Sequence, residues 1–416
     1  MRSESNDNLV PLNIMVVTSD KYPPFRPAAK AIFGEEFSRR GHTVDWIMQA
    51  ERPETPGGVV RFGNGKVFLA PTRGGATRLD RLRKHFSDFI NDFKIFGRVR
   101  SQNYDIVQVK DKYIAGILSL LAARIYGRKF CFWLAYPHAE ADLHIVRHGM
   151  ARYPLLYRAR GHAMAFALYR ILLPGADHTF VQSEQMKKDI AALGIDADSM
   201  TSIPGSLTLG TIPFKGEADP GPEGPIVVYV GTLHRKRRLD FVVRMFKKVI
   251  EEVPQARLWF IGGGEDPEDE EMLHREIKKE QINPDTIRFV GKIAMNEVWQ
   301  YIEKSAVCLS PIYPSFILNQ GSPTKLIEYM AMGRPVIAND QPEQALVIAD
   351  SGAGFCLPWD EAAFAKATLN LLRDPDLARQ MGASGRRWVE KNRTSALMAD
   401  IVESKYRELL EDRLDE

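Results

Sequence analysis

Residues 309–340 read LSPIYPSFILNQGSPTKLIEYMAMGRPVIAND. Within them a run of small residues, Gly321-Ser322-Pro323-Thr324, separates a strand-like segment from a helical pattern that begins near Lys325. A loop of this kind leaves the first amides of the helix without acceptors and aims the positive end of its dipole outward. That makes an anion site with the dimensions of a diphosphate. Ser322 or Thr324 is expected to cap the helix, with Pro323 in its first turn. Glu328 follows about one turn later, where a carboxylate can accept hydrogen bonds from a ribose diol, and Gly333 closes the helix. A second segment, YVGTLHRKRRLDFVVRMF (229–246), ends a strand at Gly231 and then presents Arg235, Lys236, Arg237 and Arg238 in a row. The planar fork of Arg237 can meet two phosphate oxygens at once. Lys236 and Arg238 read as solvated surface. Cations and free amides together can stabilise a departing nucleoside diphosphate without a metal. No strand-end Asp-x-Asp is present: Asp196-Ala-Asp198 precedes a strand, and GEDPEDEE (264–271) reads as helix surface.

These segments need a frame. Short β-branched runs alternate with helical patterns along the whole chain. In the first half they are 13–17, 43–48, 105–109, 129–135, 178–182 and 200–204; in the second, 226–231, 256–262, 286–291, 306–312, 335–340 and 354–358. Near-continuous apolar strands separated by helices predict parallel sheets covered on both faces. KGEADPGPEGP (215–225), rich in Pro, Gly and acid, is the clearest linker. The expectation is an α/β protein of two doubly wound domains, 12–212 and 224–394, followed by a charged helical segment, 395–416. Sheets of this kind bind ligands beyond the carboxyl ends of their strands, and two of them facing each other form a cleft for a small molecule.

The motifs at 320–336 and 229–238 resemble glycosyltransferase family 4, retaining enzymes of GT-B architecture. Family members carry two glutamates separated by seven residues. Here Glu328, with the following YMAMGRPV, matches the second, and Gln320 stands at the first. SPTKLIEYMAMGRPVIA is similar to the branch found in bacterial surface-polysaccharide and lipid-linked glycan synthesis. The resemblance implies that Glu328 binds the nucleotide ribose and that Gly321, Ser322, Pro323, Thr324 and Lys325 hold the diphosphate, with Gln320 touching donor-sugar hydroxyls. A neutral amide accepts more weakly there than a carboxylate. The family's Arg and Lys after the strand-end glycine correspond to Thr232 and Arg237, and Arg235 stands in for the missing Arg. Gly291, Lys292 and Ile293 would lie near the base, and His138, close to Tyr136 and Glu140, would position the donor sugar. The usual Gly-Gly after the first strand is absent. The loop reads PPFRPAAK (23–30) instead, offering Arg26 or Lys30 to an anion. The resemblance spans about residues 12–395 and implies a final helix that returns to the first domain. It also implies a front-face reaction in which the departing phosphate takes the acceptor proton. The donor is then a nucleotide sugar used as substrate, with no cofactor and no metal. A phosphorylase, a nucleotide-sugar epimerase or a non-catalytic binding protein of the same fold are the alternatives.

Composition bounds the partners. Hydrophobic content of 44% and charged content of 26% are those of a globular protein. Three scattered cysteines, Cys131, Cys308 and Cys356, argue for a reducing compartment. With no signal core and no run of about 18 apolar residues, the protein is expected in the cytoplasm. Residues 1–210 hold 29 Lys and Arg against 20 Asp and Glu, while the remainder holds 27 against 33. A basic first half suits an anionic membrane face or a lipid-linked or phosphorylated glycan acceptor; no nucleic acid is expected. Residues 78–96 place Leu79, Leu82, Phe86, Phe89, Ile90 and Phe93 at helical spacing, which reads as packing on the sheet. Residues 147–173 combine five Arg, several aromatics and no acid, and read as contact with a membrane or a lipid-linked acceptor.

Overall fold

The computed structural model describes residues 10–23, 29–52, 55, 57–71, 91–214, 216 and 224–411. Arg26, most of 78–96 and most of the 215–225 linker lie outside the described residues. The chain divides into two compact units, Met1–Pro204 with Ser395–Glu416, and Gly205–Thr394.

The first unit is built on one sheet. Its strands are β1 (Asn13–Tyr22), β2 (Thr43–Ala50), β3 (Gly58–Phe62), β4 (Gly65–Ala70), β5 (Ile106–Lys110), β6 (Lys129–Leu134), β7 (His178–Val181) and β8 (Met200–Ser202). They lie in the order β3-β4-β2-β1-β5-β6-β7-β8. All neighbours are parallel except β3 and β4, which form a hairpin. The alternation of side chains along each strand feeds two cores at once. Ile14 and Val16 face one apolar cluster, with Cys131 and Trp133, while Met15 and Val17 face the other, with Phe130 and Phe132. This explains why Ile14–Val17 of β1 and Phe130–Leu134 of β6 are continuously apolar rather than alternating.

The last helix, Ser395–Glu411, belongs to this unit. Met398, Val402, Tyr406 and Leu409, at helical spacing, complete the cluster that holds Ile14 and Trp133. The Tyr406 hydroxyl donates to Gln108 Oε1 at 2.6 Å, with both residues buried in the core. Glu403 accepts from Arg40 at 2.9 Å and from Arg407 at 2.6 Å. Burial pushes its carboxyl up, but the two guanidiniums outweigh this and hold it at about 2.

The second unit carries β9 (Ile226–Val230), β10 (Arg257–Ile261), β11 (Ile287–Gly291), β12 (Val307–Ser310), β13 (Val336–Asn339) and β14 (Gly354–Leu357). The order is β11-β10-β9-β12-β13-β14, parallel throughout. The strand order reverses between β9 and β12, which is where a doubly wound sheet opens a crevice for a ligand. The unit begins earlier than the linker composition indicates. Residues 205–212 belong to it because Leu207 and Ile212 are buried in its core and the Leu207 amide donates to Arg393 O at 2.9 Å.

Candidate functional site

The two segments that carry the candidate chemistry leave β9 and β12 on either side of that reversal. After β9 the chain turns at Gly231, whose φ of 145° only glycine adopts easily. A Cβ there would meet the Tyr229 hydroxyl at 3.1 Å and Lys325 Nζ at 3.2 Å. Behind it, a Cβ on Gly262 would lie 2.0 Å from Gly231 O, so the turn after β10 also requires glycine. After β12 the chain does not run directly into the small-residue loop. It forms a short helix, Phe316–Asn319, capped by Ser315, and Gln320 is buried at its end.

The helix that follows runs from Thr324 to Ala331. Pro323 occupies the N-cap position, and no side chain caps the helix. The expected cap is used elsewhere, because Ser322 Oγ accepts from the Gly205 amide at 2.9 Å. Among the described residues, the first-turn amides of Thr324 and Lys325 donate to no protein group. They remain available to an anion. The loop is held in shape from behind by Gln341, whose side-chain amide donates to Gly321 O at 2.8 Å, Asn319 O at 3.1 Å and Leu318 O at 3.3 Å. The helix is tied to the β9 end by Tyr329, whose hydroxyl accepts from the Val230 amide at 2.7 Å.

Three cationic or polar groups converge in front of this helix start. Lys325 Nζ donates to the Tyr229 hydroxyl at 3.1 Å and lies 4.2 Å from the centre of the Tyr229 ring. Tyr229, fully buried, hydrogen-bonds the Thr232 carbonyl at 3.3 Å. Arg237 Nε donates to Thr232 Oγ1 at 2.7 Å. Burial drives the Lys325 ammonium well below the ordinary lysine value, the Arg237 charge pushes the same way, and Glu328 pulls back. Burial also raises Glu328, to about 7, against the opposing pull of Lys325. Glu328 and Lys325 each keep some accessible surface but are deep enough that solvent screens them poorly.

The remaining candidates have the following surroundings. Arg235 is turned to Glu268, in an exposed ion pair at 2.7 Å, and its backbone amide donates to Asp269. Gly291 has φ 81° and accepts from Gly262 N at 2.9 Å. Lys292 lies alongside Gly263, and Ile293 packs against the core behind β9. His138 is in the first unit, at the start of the His138–Arg147 helix, with ring centres 4.8 Å from Tyr136 and 6.5 Å from Tyr113. Nearby, Glu140 accepts from the Tyr169 hydroxyl at 2.5 Å. The hydroxyl of Tyr113 is buried without a partner among the described residues. Sequence reasoning missed Tyr229, Tyr329 and Gln341. Gln341 had a signal, being polar and just beyond a strand end. The two tyrosines, set among apolar residues, had none.

Two family descriptions match the chain: Glycosyltransferase Family 4 over residues 32–208, and Glycosyl transferases group 1 over residues 224–374. Trehalose synthase of Pyrococcus horikoshii is 26% identical over 178 residues, 42% of this chain and 41% of that protein. N-acetyl-alpha-D-glucosaminyl L-malate synthase of Bacillus anthracis is 26% identical over 188 residues, 45% and 46% of the two chains. The chain spans about half the length of the curated relatives it matches. Among solved structures, sucrose-phosphate synthase from Thermosynechococcus elongatus superposes with a TM-score of 0.73 at 20% identity, covering 96% of this chain and all of that one. A protein of Anabaena in complex with UDP-glucose superposes with a TM-score of 0.67 at 12% identity, covering 95% and 100%. At these identities the structures speak for the fold, and the sequence matches speak for the family. The chain belongs to the glycosyltransferases of family 4 and has their two-domain GT-B fold.

Proposed function

We propose that the protein transfers a sugar from a nucleoside-diphosphate sugar to a glycan or lipid-linked acceptor, with retention at the anomeric carbon and without a metal. The observation that carries this reading is the gathering of Arg237, Lys325 and the free amides of Thr324 and Lys325 at the β9–β12 reversal. A diphosphate placed there meets two cations and a helix N-terminus. As the bond between the anomeric carbon and the β-phosphate oxygen breaks, the leaving group gains charge, and these donors stabilise it more strongly than the ground state. The acceptor oxygen bonds to the anomeric carbon on the same face, and its proton passes to the departing phosphate. Glu328, in its ionised form, accepts from the ribose diol. Gln320 lies next to the loop for the donor sugar, and Gly291, Lys292 and Ile293 lie near the base. The first unit takes the acceptor, which is met at the inner face of a membrane.

Incubation with a panel of nucleotide sugars, followed by detection of donor hydrolysis or transfer, tests the reading. The Arg237→Ala and Lys325→Ala variants serve as controls. Turnover by the parent that both variants lose supports it. Equal turnover by parent and variants, or no binding of any nucleoside diphosphate by the folded protein, overturns it.

A further inference from the structure

The helix Pro154–Ala167 in the first unit wears its apolar side outward. Of its 14 residues only Gly161 is buried. It packs so closely on Leu143 of the His138–Arg147 helix that a Cβ would come within 2.9 Å. Helical periodicity puts Leu155, Leu156, Ala159, Ala163 and Phe166 on the arc opposite Gly161. All five are exposed, Leu155 by 81% and Leu156 and Phe166 by 62% each. The turn before the helix adds Met150 and Tyr153, exposed by 48% and 51%. A surface helix that serves only its own domain has the reverse arrangement, with its apolar stripe turned inward.

The charge around this stripe is of one sign. Arg147, Arg152, Arg158, Arg160 and Arg170 are all exposed, and residues 147–173 contain no Asp or Glu. Asp142 holds Arg160. The other four form no salt bridge among the described residues. A protein partner would satisfy the leucines and the phenylalanine but would leave these arginines to be matched one by one. A bilayer carrying anionic lipid satisfies both, because the apolar arc enters the headgroup boundary while the arginines stay at the phosphate level.

We infer that this helix docks flat on an anionic bilayer, with Leu155, Leu156 and Phe166 as its inserted residues and Arg147, Arg152, Arg158 and Arg170 as its headgroup contacts. The inference rests on the reading that the acceptor is met at a membrane, and gives that reading a surface. It does not depend on the donor chemistry of the second unit.

Flotation of the full chain with vesicles tests it, comparing phosphatidylcholine alone with phosphatidylcholine containing phosphatidylglycerol. The parent is expected to float with the anionic vesicles only, and to be released by salt. A Leu155→Ser/Leu156→Ser/Phe166→Ser triple variant should lose at least about tenfold in partitioning. Arg152→Gln/Arg158→Gln should weaken binding and flatten its salt dependence. All five positions are exposed, so unchanged thermal unfolding and unchanged nucleoside-diphosphate binding are expected and exclude a folding defect. Equal flotation of parent and triple variant overturns the inference, as does an absence of vesicle binding. So does a parent dimer, without vesicle binding, that the triple variant splits, since the face would then join two copies of the chain. Anionic-vesicle binding by a protein that turns over no nucleotide sugar would leave this surface standing and remove the transfer reading instead.

Discussion

The Tyr229 hydroxyl stands 3.1 Å from Lys325 Nζ and 3.3 Å from the Thr232 carbonyl oxygen. One buried side chain thus links the β9 turn to the start of the Thr324–Ala331 helix and sets where the lysine can reach. Tyr229→Phe keeps the ring beneath Lys325 but removes the anchor. A net hydrogen bond contributes about 1 kcal/mol. Calorimetry should therefore show nucleoside-diphosphate affinity falling about fivefold, with stability changed little.

In the proposed reading Arg237 meets the diphosphate through a fork rather than as a point charge. Arg237→Lys should recover only part of what Arg237→Ala loses. A charge-assisted pair contributes about 1.5–3 kcal/mol, so the alanine variant should bind a nucleoside diphosphate at least about tenfold more weakly. Equal affinities for the lysine variant and the parent would show that the bidentate geometry is unused.

Glu328 is raised to about 7 by burial. The folded state therefore holds its proton more tightly than the unfolded chain. Stability from this group is lost as pH rises from the ordinary carboxyl range through about 7. Glu328→Gln should gain thermal stability over the parent above that window, by an amount on the order of 1 kcal/mol, and gain nothing near pH 4, where both are neutral. Nucleotide affinity of the parent should fall as pH drops through the same window, because only the ionised carboxylate accepts both ribose hydroxyls. The Glu328→Gln variant should not show that fall.

Lys325 is shifted the other way. A diphosphate beside it favours the ammonium, so at pH values above the Glu328 window, where that carboxylate is already ionised, binding should take up a proton. Binding enthalpies measured in buffers of different ionisation heat report the number of protons directly. Lys325→Arg, which cannot deprotonate, should abolish the uptake while keeping much of the affinity.

The turn after β10 has no room for a side chain. Gly262→Ala would drive a Cβ into Gly231 O, a backbone atom that cannot swing aside, at a φ of 130°. A loss of roughly 2–4 kcal/mol is expected, seen as a lower Tm together with weaker nucleotide binding. A variant with both properties intact would mean that the two turns can separate.

The parallel strands were legible because burial on both faces makes them continuously apolar, as in IMVV (14–17) and IVVYV (226–230). The hairpin β3–β4 was not read, although Gly63-Asn64 between Phe62 and Gly65 is a two-residue turn signal. Its strands are short, and one face mixes Val59 and Phe68 with Arg61 and Lys66, so no clean alternation shows. The motif at Gly321–Glu328 was legible because small residues before a helix have few other uses. What surrounds it was not. Ser322 looks like a cap, but its hydroxyl is claimed by Gly205, more than 100 residues earlier in the chain. Arg235 and Arg237 look alike in sequence, and only the fold sends one to Glu268 and the other to Thr232. Tyr229 is silent because an aromatic in an apolar strand reads as core until its hydroxyl is placed.

The Ser395–Glu411 helix has a consequence for synthesis. Met398, Val402 and Tyr406 fill a core whose other walls are made from the opening strands. The opening strands, covered on that side at first only by residues 29–37, therefore leave the ribosome with part of one face open, and all of Gly205–Thr394 must be made before the rest of the cover arrives. At about 5–20 residues per second, that interval is roughly 10–40 s. During it the second unit, complete in itself, can fold, while the nascent first unit still shows apolar surface to chaperones.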